Sequence, residues 1–450
     1  MNSREQRHMK KGMAPFVLMW SGQFLSQIGT LMTSLALIFW AYDQTGRATE
    51  LAMMAFFSLG PRVLFGPIAG AMIDRWKRKI VMLVCDSVAA LVSCSILTLL
   101  LSDHLQIWHL YMLTSFTSLF SAFQSPSFLA SATLMVPSRH YGRTGGLTSL
   151  LGHASAIVAP AFAGVLLPLI GLKGILYVDI GTFLYAALTL AIVRIPNPEV
   201  FTSVAKGKAR QLLRDVAVGF RFLFDKRSLL YILLIFTFTN FFGGAYATLY
   251  RALLLARTGG SESAVVLVQL LIGIGGTAGA LLVSFFGAPK RKLLLAVMVG
   301  YAIGQLFRAL FGVNLSIPFL AAIGFLATFC YAYAGSCSNA LWQSKIPPAM
   351  QGRVLAIRLA LAGAVSLITR PLAGPLADFV FEPAMQAGGR LTAAFGWLSG
   401  VGPGAGMGLY MVLSCSLGVC LLLWGFSRPS IRNLDTLVPD HSTRTDSGGE

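Results

Sequence analysis

The sequence predicts an all-α integral membrane protein with twelve transmembrane helices, arranged as two pseudo-symmetric halves of six. Hydrophobic residues make up 56% of the chain and charged residues only 12%, whereas a soluble domain carries about a quarter charged residues. The apolar runs reach the roughly 20 residues that an α-helix needs to cross the hydrocarbon core. Short sequences that recur in the second half of the chain divide these runs into two similar sets.

Three pairs of short sequences recur in the same order, each between apolar blocks and at an offset of 210 or 213 residues. The pairs are Val136–Arg143 with Ile346–Arg353, Lys77–Lys79 with Lys290–Lys292, and Thr45–Gly46 with Thr258–Gly259. The nearly constant offset indicates duplicated halves. In a membrane protein, a duplicated unit of six helices is typical of a secondary transporter that rocks around a central site.

Twelve apolar stretches follow one another along the chain, and their Gly, Ser and Thr residues suit close helix packing in lipid. The predicted spans are 14–41, 50–73, 80–101, 107–136, 141–169, 174–195, 228–256, 262–287, 292–313, 317–345, 353–380 and 406–427. The predicted domains are a cytoplasmic amino terminus (1–13), an amino-terminal half (14–195), a basic linker (196–227), a carboxyl-terminal half (228–427) and a cytoplasmic polar tail (428–450).

Lys and Arg residues indicate the orientation of the chain in the membrane. Most of the 35 lie in the segments that are cytoplasmic when the amino terminus is inside, as the positive-inside rule requires. We therefore expect a multi-pass protein of the inner (plasma) membrane with both termini in the cytoplasm. The net charge of +18 is explained by this topology, and no nucleic-acid partner is expected.

The linker contains apolar residues at helical spacing between Arg210 and Phe224, among them Phe220 and Leu223. Together with its basic residues, this pattern predicts an amphipathic helix on the inner leaflet, held there by anionic lipid. A solvated linker is the alternative. All six Cys residues lie inside predicted spans, which favours small buried side chains over disulfides or a metal site.

The segment Gly70–Lys79, between the second and third predicted spans, reads Gly-Ala-Met-Ile-Asp-Arg-Trp-Lys-Arg-Lys. It resembles the loop motif Gly-x-x-x-Asp-Arg-x-Gly-Arg-Lys of the major facilitator superfamily, with Lys77 in place of the second Gly. The two Pro-x-x-x-x-Gly-Arg repeats, Phe123–Pro126 and the Phe381–Pro383 turn resemble the branch that contains the enterobactin exporter and the macrolide efflux proteins. The resemblance covers roughly residues 14–427 and implies the fold of that superfamily.

Four residues of the loop motif are candidates for an inner gate, namely Gly70, Asp74, Arg75 and Arg78. Charges at helix ends can pair across the cytoplasmic face and hold the halves together while the site opens outward. The resemblance implies this latching role for Asp74 and Arg78. The alternative is that the loop charges only anchor the topology, which we prefer for Lys77 and Lys79.

Ionisable residues inside the spans are costly in lipid and usually serve a transport path. These residues are Arg62, Asp86, His153, Asp179, Arg308, Arg370 and Asp378. The candidates for proton coupling are His153, Asp179, Asp86, Asp378 and Glu382. The alternatives stay open: a packing role for His153, caps or interhelical pairs for Asp86 and Asp179, and an ion pair between Asp378 and Arg370.

Polar side chains at helical spacing predict the wall of a substrate cavity, most clearly on the first span. The candidate cavity residues are Gln23, Gln27, Thr30, Gln124, Asn240, Tyr331, Trp342 and Arg370. Gln27 and Asn240 are 213 residues apart and occupy equivalent places in the two halves. Amides and hydroxyls among aromatic rings suit a bulky amphiphile that is oriented without strong charge pairing. Hydrogen bonding between helices is the competing interpretation.

Together these features favour a proton-coupled exporter of a medium-sized amphiphile, such as a siderophore, a macrolide or a secreted metabolite. An importer or a lipid flippase with the same fold is the alternative. A membrane-embedded enzyme is disfavoured, because the sequence has no Ser/His/Asp cluster, no acidic metal-binding set and no Walker loop for ATP. We expect a small-molecule substrate, a lipid bilayer around a monomer, no metal or cofactor, and the proton gradient as the energy source.

Overall fold

The computed structural model describes residues 13–73, 76–136, 141–195, 218, 220–287, 289, 292–346 and 348–437, and nearly all of them are helical. The first five helices are α1 (Met13–Thr45), α2 (Ala48–Ile73), α3 (Arg78–Leu101), α4 (Ile107–Met135) and α5 (Tyr141–Ile192). The next seven are α6 (Arg227–Thr258), α7 (Glu262–Phe286), α8 (Leu293–Leu310), α9 (Ile317–Lys345), α10 (Pro348–Pro375), α11 (Thr392–Ser399) and α12 (Ala405–Ser427).

Ten helical segments in the described ranges are long and apolar enough to cross a membrane. Helix α5 has 52 residues, and as one straight helix it would be roughly 78 Å long, more than two hydrocarbon cores of about 30 Å. Its backbone breaks at Gly171, where φ is 65° and ψ is −177°, a conformation that favours glycine. The predicted spans 141–169 and 174–195 lie on either side of this break. The helical membrane fold is thus confirmed, while the count of twelve spans stays a prediction.

At its carboxyl-terminal end, the predicted span 353–380 is not a regular α-helix in the structure. Helix α10 ends at Pro375, and the chain continues as a π-helical turn, Leu376–Phe381, followed by a short turn at Glu382–Ala384. The N–H of Glu382 donates to the carbonyl five residues earlier, which is the bond that defines this wider turn. Apolar periodicity does not reveal such a turn, because one extra residue leaves the hydrophobic character of the segment unchanged.

The chain divides into two compact units. The amino unit takes its described residues from 1–41 and 57–203, and the carboxyl unit takes them from 42–56 and 204–450. The loop between α1 and α2, with the helix ends on both sides of it, therefore belongs to the carboxyl unit. The domain bounds expected from the sequence, which place this loop in the amino-terminal half, stay a prediction.

Apolar side chains from α1, α3, α4 and α5 form the core of the amino unit. Phe16, Met19 and Leu190 are fully buried there. Glycines let α1 approach the second arm of α5, since a Cβ added to Gly29 would lie only 3.2 Å from the Cα of Asp179. Small residues at such contacts are how membrane helices pack closely. This contact brings the polar face of α1 next to the carboxyl group of α5.

The end of the linker packs into the carboxyl unit. Leu223 is fully buried in a cluster with Leu229, Ile232 and Ile431, and Phe220 packs against that cluster. The sequence prediction that Leu223 faces the lipid is therefore wrong, because the start of α6 and the turn after α12 enclose this side chain. Residues 210–217 and 219 of the predicted amphipathic helix lie outside the described ranges.

Helices α7 and α9 of the carboxyl unit pack through glycine. A Cβ added to Gly275 would lie 2.3 Å from the carbonyl oxygen of Phe325, and one added to Gly279 would lie 2.2 Å from that of Phe329. The Thr328 hydroxyl donates to the Ile272 carbonyl at 2.8 Å and joins the two helices at the same level. Close approach of the backbones leaves no space for side chains at these glycines.

Replacement of Gly279 by Leu should therefore force α7 away from α9. Overpacking of this kind costs about 1–3 kcal/mol, so we expect a lower melting temperature of the purified protein in detergent. The matched control is Gly276→Ala, because an added Cβ there would meet its nearest neighbour only at 4.0 Å. Equal melting temperatures for Gly279→Leu and the unmodified protein would contradict this packing.

Candidate functional site

The amino unit contains a cavity of about 530 Å³ that is lined by both polar and apolar side chains. Its wall carries polar side chains at helical spacing on two helices, because one face of each helix is polar while the other faces pack or meet lipid. On α1 they are Gln23, Ser26, Gln27, Thr30, Thr33 and Ser34, and on α4 they are Thr114, Thr117, Ser118, Ser121, Gln124 and Ser125. Arg62 and Asp179 are the charged residues among the described lining. Four predicted cavity residues, Gln23, Gln27, Thr30 and Gln124, lie on this wall, and their role in binding stays a prediction.

A carboxyl group and two amides, which we call the Asp86 cluster, join α1, α3 and α4 behind this wall. Asp86 is 1% exposed. Its Oδ2 accepts a hydrogen bond from Gln23 Nε2 at 2.9 Å, and its Oδ1 accepts one from Gln124 Nε2 at 2.5 Å. Gln124 Nε2 also donates to Gln23 Oε1 at 2.9 Å. Both oxygens of the buried carboxyl group are therefore hydrogen-bonded, which offsets much of its desolvation.

Asp179, on the second arm of α5, has fewer partners than Asp86, although it is also 1% exposed. Ser93 Oγ donates to its Oδ2 at 2.8 Å, while Oδ1 is buried with no hydrogen-bond partner among the described residues. The Thr33 hydroxyl is also buried, and it lies within reach of this carboxyl group without meeting hydrogen-bond geometry. Both residues line the cavity. An incompletely bonded carboxyl at the cavity wall is suited to gain a proton or to bind a donor.

Asp378 caps a helix in the carboxyl unit. Its Oδ2 accepts hydrogen bonds from Thr49 N at 2.7 Å and from Thr49 Oγ1 at 2.5 Å, and its Oδ1 accepts one from Ala48 N at 3.2 Å. Helix α2 begins at Ala48, so this carboxyl group binds the unpaired N–H groups and the positive end of that helix.

Glu382 acts in the same way on another helix. Its Oε1 accepts a hydrogen bond from Met407 N at 3.0 Å, in the first turn of α12. A Cβ added to Gly406 would lie 2.3 Å from Glu382 N, so the two backbones are in close contact. Sequence reasoning proposed Asp378 and Glu382 for proton coupling, which stays untested, whereas their contacts are those of helix caps.

Arg370 joins α10 to the first turns of α2. Its Nη1 donates to the Ala55 carbonyl at 2.6 Å. Gly374, one turn further along, packs against α2 so closely that an added Cβ would lie 2.6 Å from Thr49 Cα. The sequence suggested a cavity position or a pair with Asp378 for this arginine. The bond to Ala55 makes it a second connection between the same two helices.

Asn240, Tyr331 and Trp342 lie in the carboxyl unit. Asn240 Nδ2 donates to the Phe236 carbonyl at 2.9 Å, and its Oδ1 accepts a hydrogen bond from the Tyr331 hydroxyl. The Arg308 guanidinium lies 3.6 Å from the centroid of the Tyr331 ring, a cation–π contact. Phe236 and Tyr331 therefore hold the Asn240 side chain. Gln27, at the equivalent sequence position in the other half, has no such hydrogen bonds among the described residues.

Among the described cations inside predicted spans, sequence reasoning missed Arg251 and Arg358. The Arg358 guanidinium lies 4.9 Å from the centroid of the Trp342 ring and donates to Ser338 Oγ at 3.3 Å. Trp342 is 3% exposed. The available signal was a lone arginine within an apolar stretch of the predicted span 353–380.

The candidate inner gate falls mostly outside the described ranges. Asp74 and Arg75 are not described, nor are the surroundings of Gly70 and the side chain of His153. Arg78 begins α3. The latch between Asp74 and Arg78 and the coupling role of His153 therefore stay predictions.

The sequence matches the Major Facilitator Superfamily over residues 19–359. It is 26% identical to macrolide efflux protein A of Streptococcus pyogenes over 366 residues, which cover 79% of this chain and 87% of that protein. It is 25% identical to macrolide efflux protein A of Enterococcus faecalis, over 73% of this chain and 99% of that protein. It is 23% identical to the multidrug efflux pump Tap of Mycolicibacterium fortuitum, over 81% and 89% respectively.

Two solved structures share the fold. A variant of the nucleoside transporter NupG has a TM-score of 0.69 at 13% identity and covers 92% of this chain and 100% of that one. A bacterial homolog of the human lysosomal transporter Spinster has a TM-score of 0.67 at 15% identity and covers 94% and 98%. Identities this low establish the architecture only.

Replacement of Asp378 by Ala should expose the capping role of this carboxyl group. Loss of a helix cap costs about 0.5–2 kcal/mol, so we expect the free energy of unfolding and the melting temperature to fall. Asp43→Ala is the matched control, because Asp43 is an exposed aspartate near the end of α1. If both variants melt at the same temperature as the unmodified protein, Asp378 does not stabilise the start of α2.

Proposed function

Because the chain belongs to the major facilitator superfamily, we propose that it exports a medium-sized amphiphilic small molecule in exchange for protons. The resemblance read from its loop motif is confirmed, and the chain is a multi-pass transporter of the cell membrane, surrounded by lipid and acting on a small molecule. The relatives named for macrolide and multidrug efflux support export as the direction of transport.

The cavity of the amino unit is the observation that carries this proposal. Its volume of about 530 Å³ lies within the range of small-molecule sites, which is about 300–1,000 Å³. Amides and hydroxyls dominate its polar wall, and such groups orient a solute by hydrogen bonds rather than by charge. Apolar side chains such as Leu37 and Phe128 complete the lining, as an amphiphile requires.

Asp179 is the residue we assign to proton coupling. An ionised carboxylate with an unpaired oxygen is costly in a membrane interior, and protonation removes that cost. Asp86, in contrast, has both oxygens bound by Gln23 and Gln124 and serves to position these amides. A carboxyl group that lines the cavity and exchanges a proton can couple the gradient to the state of the site.

Further parts of this proposal come from the sequence. Both termini lie in the cytoplasm, the protein acts as a monomer without a cofactor, and Asp74 and Arg78 latch the inner gate. The basic cytoplasmic segments support the placement of the termini, and the superfamily loop motif supports the gate.

Inverted membrane vesicles and a radiolabelled macrolide provide the test. We expect an imposed proton gradient to drive uptake, and a protonophore to stop it even when ATP is supplied. Asp179→Asn should abolish gradient-driven uptake while it retains macrolide binding, because asparagine can still accept a hydrogen bond from Ser93 but cannot carry the proton.

The control for that substitution is Asp225→Asn, since Asp225 is exposed and lies outside the cavity. Normal gradient-driven uptake by Asp179→Asn would rule out this residue as the coupling group. Uptake that persists with ATP after the gradient has collapsed would overturn proton exchange itself.

A second test separates a substrate contact from a structural one on the same helix. The described residues give the Gln27 amide no hydrogen bond, whereas Gln23 belongs to the Asp86 cluster. We expect Gln27→Leu to weaken substrate affinity by about 1–2 kcal/mol, or roughly 5- to 30-fold, with an unchanged melting temperature. Gln23→Leu should instead lower the melting temperature, because it leaves Asp86 without one donor. An unchanged transport KM for Gln27→Leu would remove Gln27 from the substrate site.

A further inference from the structure

We propose that the carboxyl unit binds an anionic phospholipid in a groove between α6 and α12, with the lipid phosphate at Arg428. The groove has a volume of about 580 Å³. It lies in a different unit from the cavity lined by Gln27 and Asp179, and its occupant is independent of the transported molecule.

The walls of the groove are apolar over a defined length. Helix α6 contributes Tyr231, Leu234, Ile235 and Phe238, which share one helix face because they are spaced at i, i+3, i+4 and i+7. Their spacing corresponds to roughly 10 Å along the helix axis. Helix α12 contributes Leu421 and Trp424 on the opposite wall.

The floor of the groove is closed by contact between the two helices. A Cβ added to Gly425 of α12 would lie 2.4 Å from Cδ1 of Ile235. The backbone of α12 therefore meets the α6 side chain directly at this level. The result is a crevice with a fixed base rather than a gap between separate helices.

One end of the groove is basic. Arg428 and Ser430 lie at this end, and the Arg428 guanidinium is 4.6 Å from the centroid of the Trp424 ring, which holds it in place. Helix α6 starts at Arg227, one turn before Tyr231, and both Arg227 and Arg432 are exposed. Tyr and Trp side chains next to basic residues are typical of the headgroup level of a membrane.

The groove thus has a cationic end and an apolar end, which match the phosphate and the acyl chain of one phospholipid. Tyr231, Phe238 and Trp424 are 43%, 52% and 51% exposed, as expected for side chains that meet a lipid. Anionic headgroups are attracted to arginines at this level, and an acyl chain fills the apolar walls.

Other parts of the chain fit the groove less well. The linker segment 196–217 carries four basic and two acidic residues, so its net positive charge opposes binding at the basic end of the groove. The tail 438–450 contains only one aliphatic residue, Val438, and cannot fill an apolar groove. Charge and polarity therefore select a phospholipid over these two segments.

Native mass spectrometry of the full chain in detergent tests the proposal. The probes are phosphatidylglycerol, phosphatidylcholine with the same acyl chains, and glycerol phosphate, which has the charge without the chains. We expect phosphatidylglycerol to bind most tightly and glycerol phosphate to bind least. Arg428→Gln should weaken phosphatidylglycerol binding roughly fivefold, the effect of one arginine at the membrane surface, whereas Arg428→Lys should retain most of it.

Two further variants make the result specific. Phe238→Gln should weaken both phospholipids, because it places a polar group on the apolar wall, while Arg390→Gln removes an exposed arginine elsewhere and should change neither. The melting temperature of each variant without lipid checks its folding. Equal affinity for the two phospholipids, equal losses in Arg428→Gln and Arg390→Gln, or tight binding of glycerol phosphate would each overturn the proposal.

Discussion

Carboxyl groups inside the helices of this protein need hydrogen-bond donors, because a membrane interior supplies no water to solvate them. Asp86 receives two side-chain amides, Asp179 receives one hydroxyl, and Asp378 receives the backbone N–H groups at the start of a helix. Each set of hydrogen bonds connects helices that are distant in sequence. These donors therefore hold helices together inside each unit.

The Asp86 cluster also decides which amides of the cavity can meet a substrate. Gln23 and Gln124 each use an amide group to bind the carboxyl group of Asp86, so their side chains are fixed in orientation. Gln27 lies one helical turn beyond Gln23 on α1 and remains open to the cavity. A polar stripe that looks uniform in sequence is thus divided between structural and exposed groups.

The sequence was sufficient for features that depend on local pattern. Apolar blocks predicted the helices, and the spacing of Gln23, Gln27 and Thr30 identified the polar face of α1. Contacts between distant residues could not be read in this way. The capping of α2 by Asp378 joins positions about 330 residues apart, and no single-sequence pattern marks Thr49 as its partner.

Asn240 and Leu223 show what such patterns leave open. Asn240 was paired with Gln27 by offset alone, but its surroundings include Tyr331 and therefore bind it differently. Leu223 was assigned to the lipid surface from its helical spacing, yet the same spacing suits burial against Ile431. Periodicity indicates that a face is apolar, and tertiary packing decides whether lipid or protein covers it.

The π-helical turn at Leu376–Phe381 changes which way the side chains after α10 face. In an α-helix, residues four apart such as Asp378 and Glu382 share one face, whereas here one carboxylate binds α2 and the other binds α12. Loss of the extra residue from this turn would rotate the helix on one side of it by roughly 100°, the angle of one α-helical residue. Both carboxylate contacts would oppose that rotation, so they help to hold α10 in one orientation about its own axis.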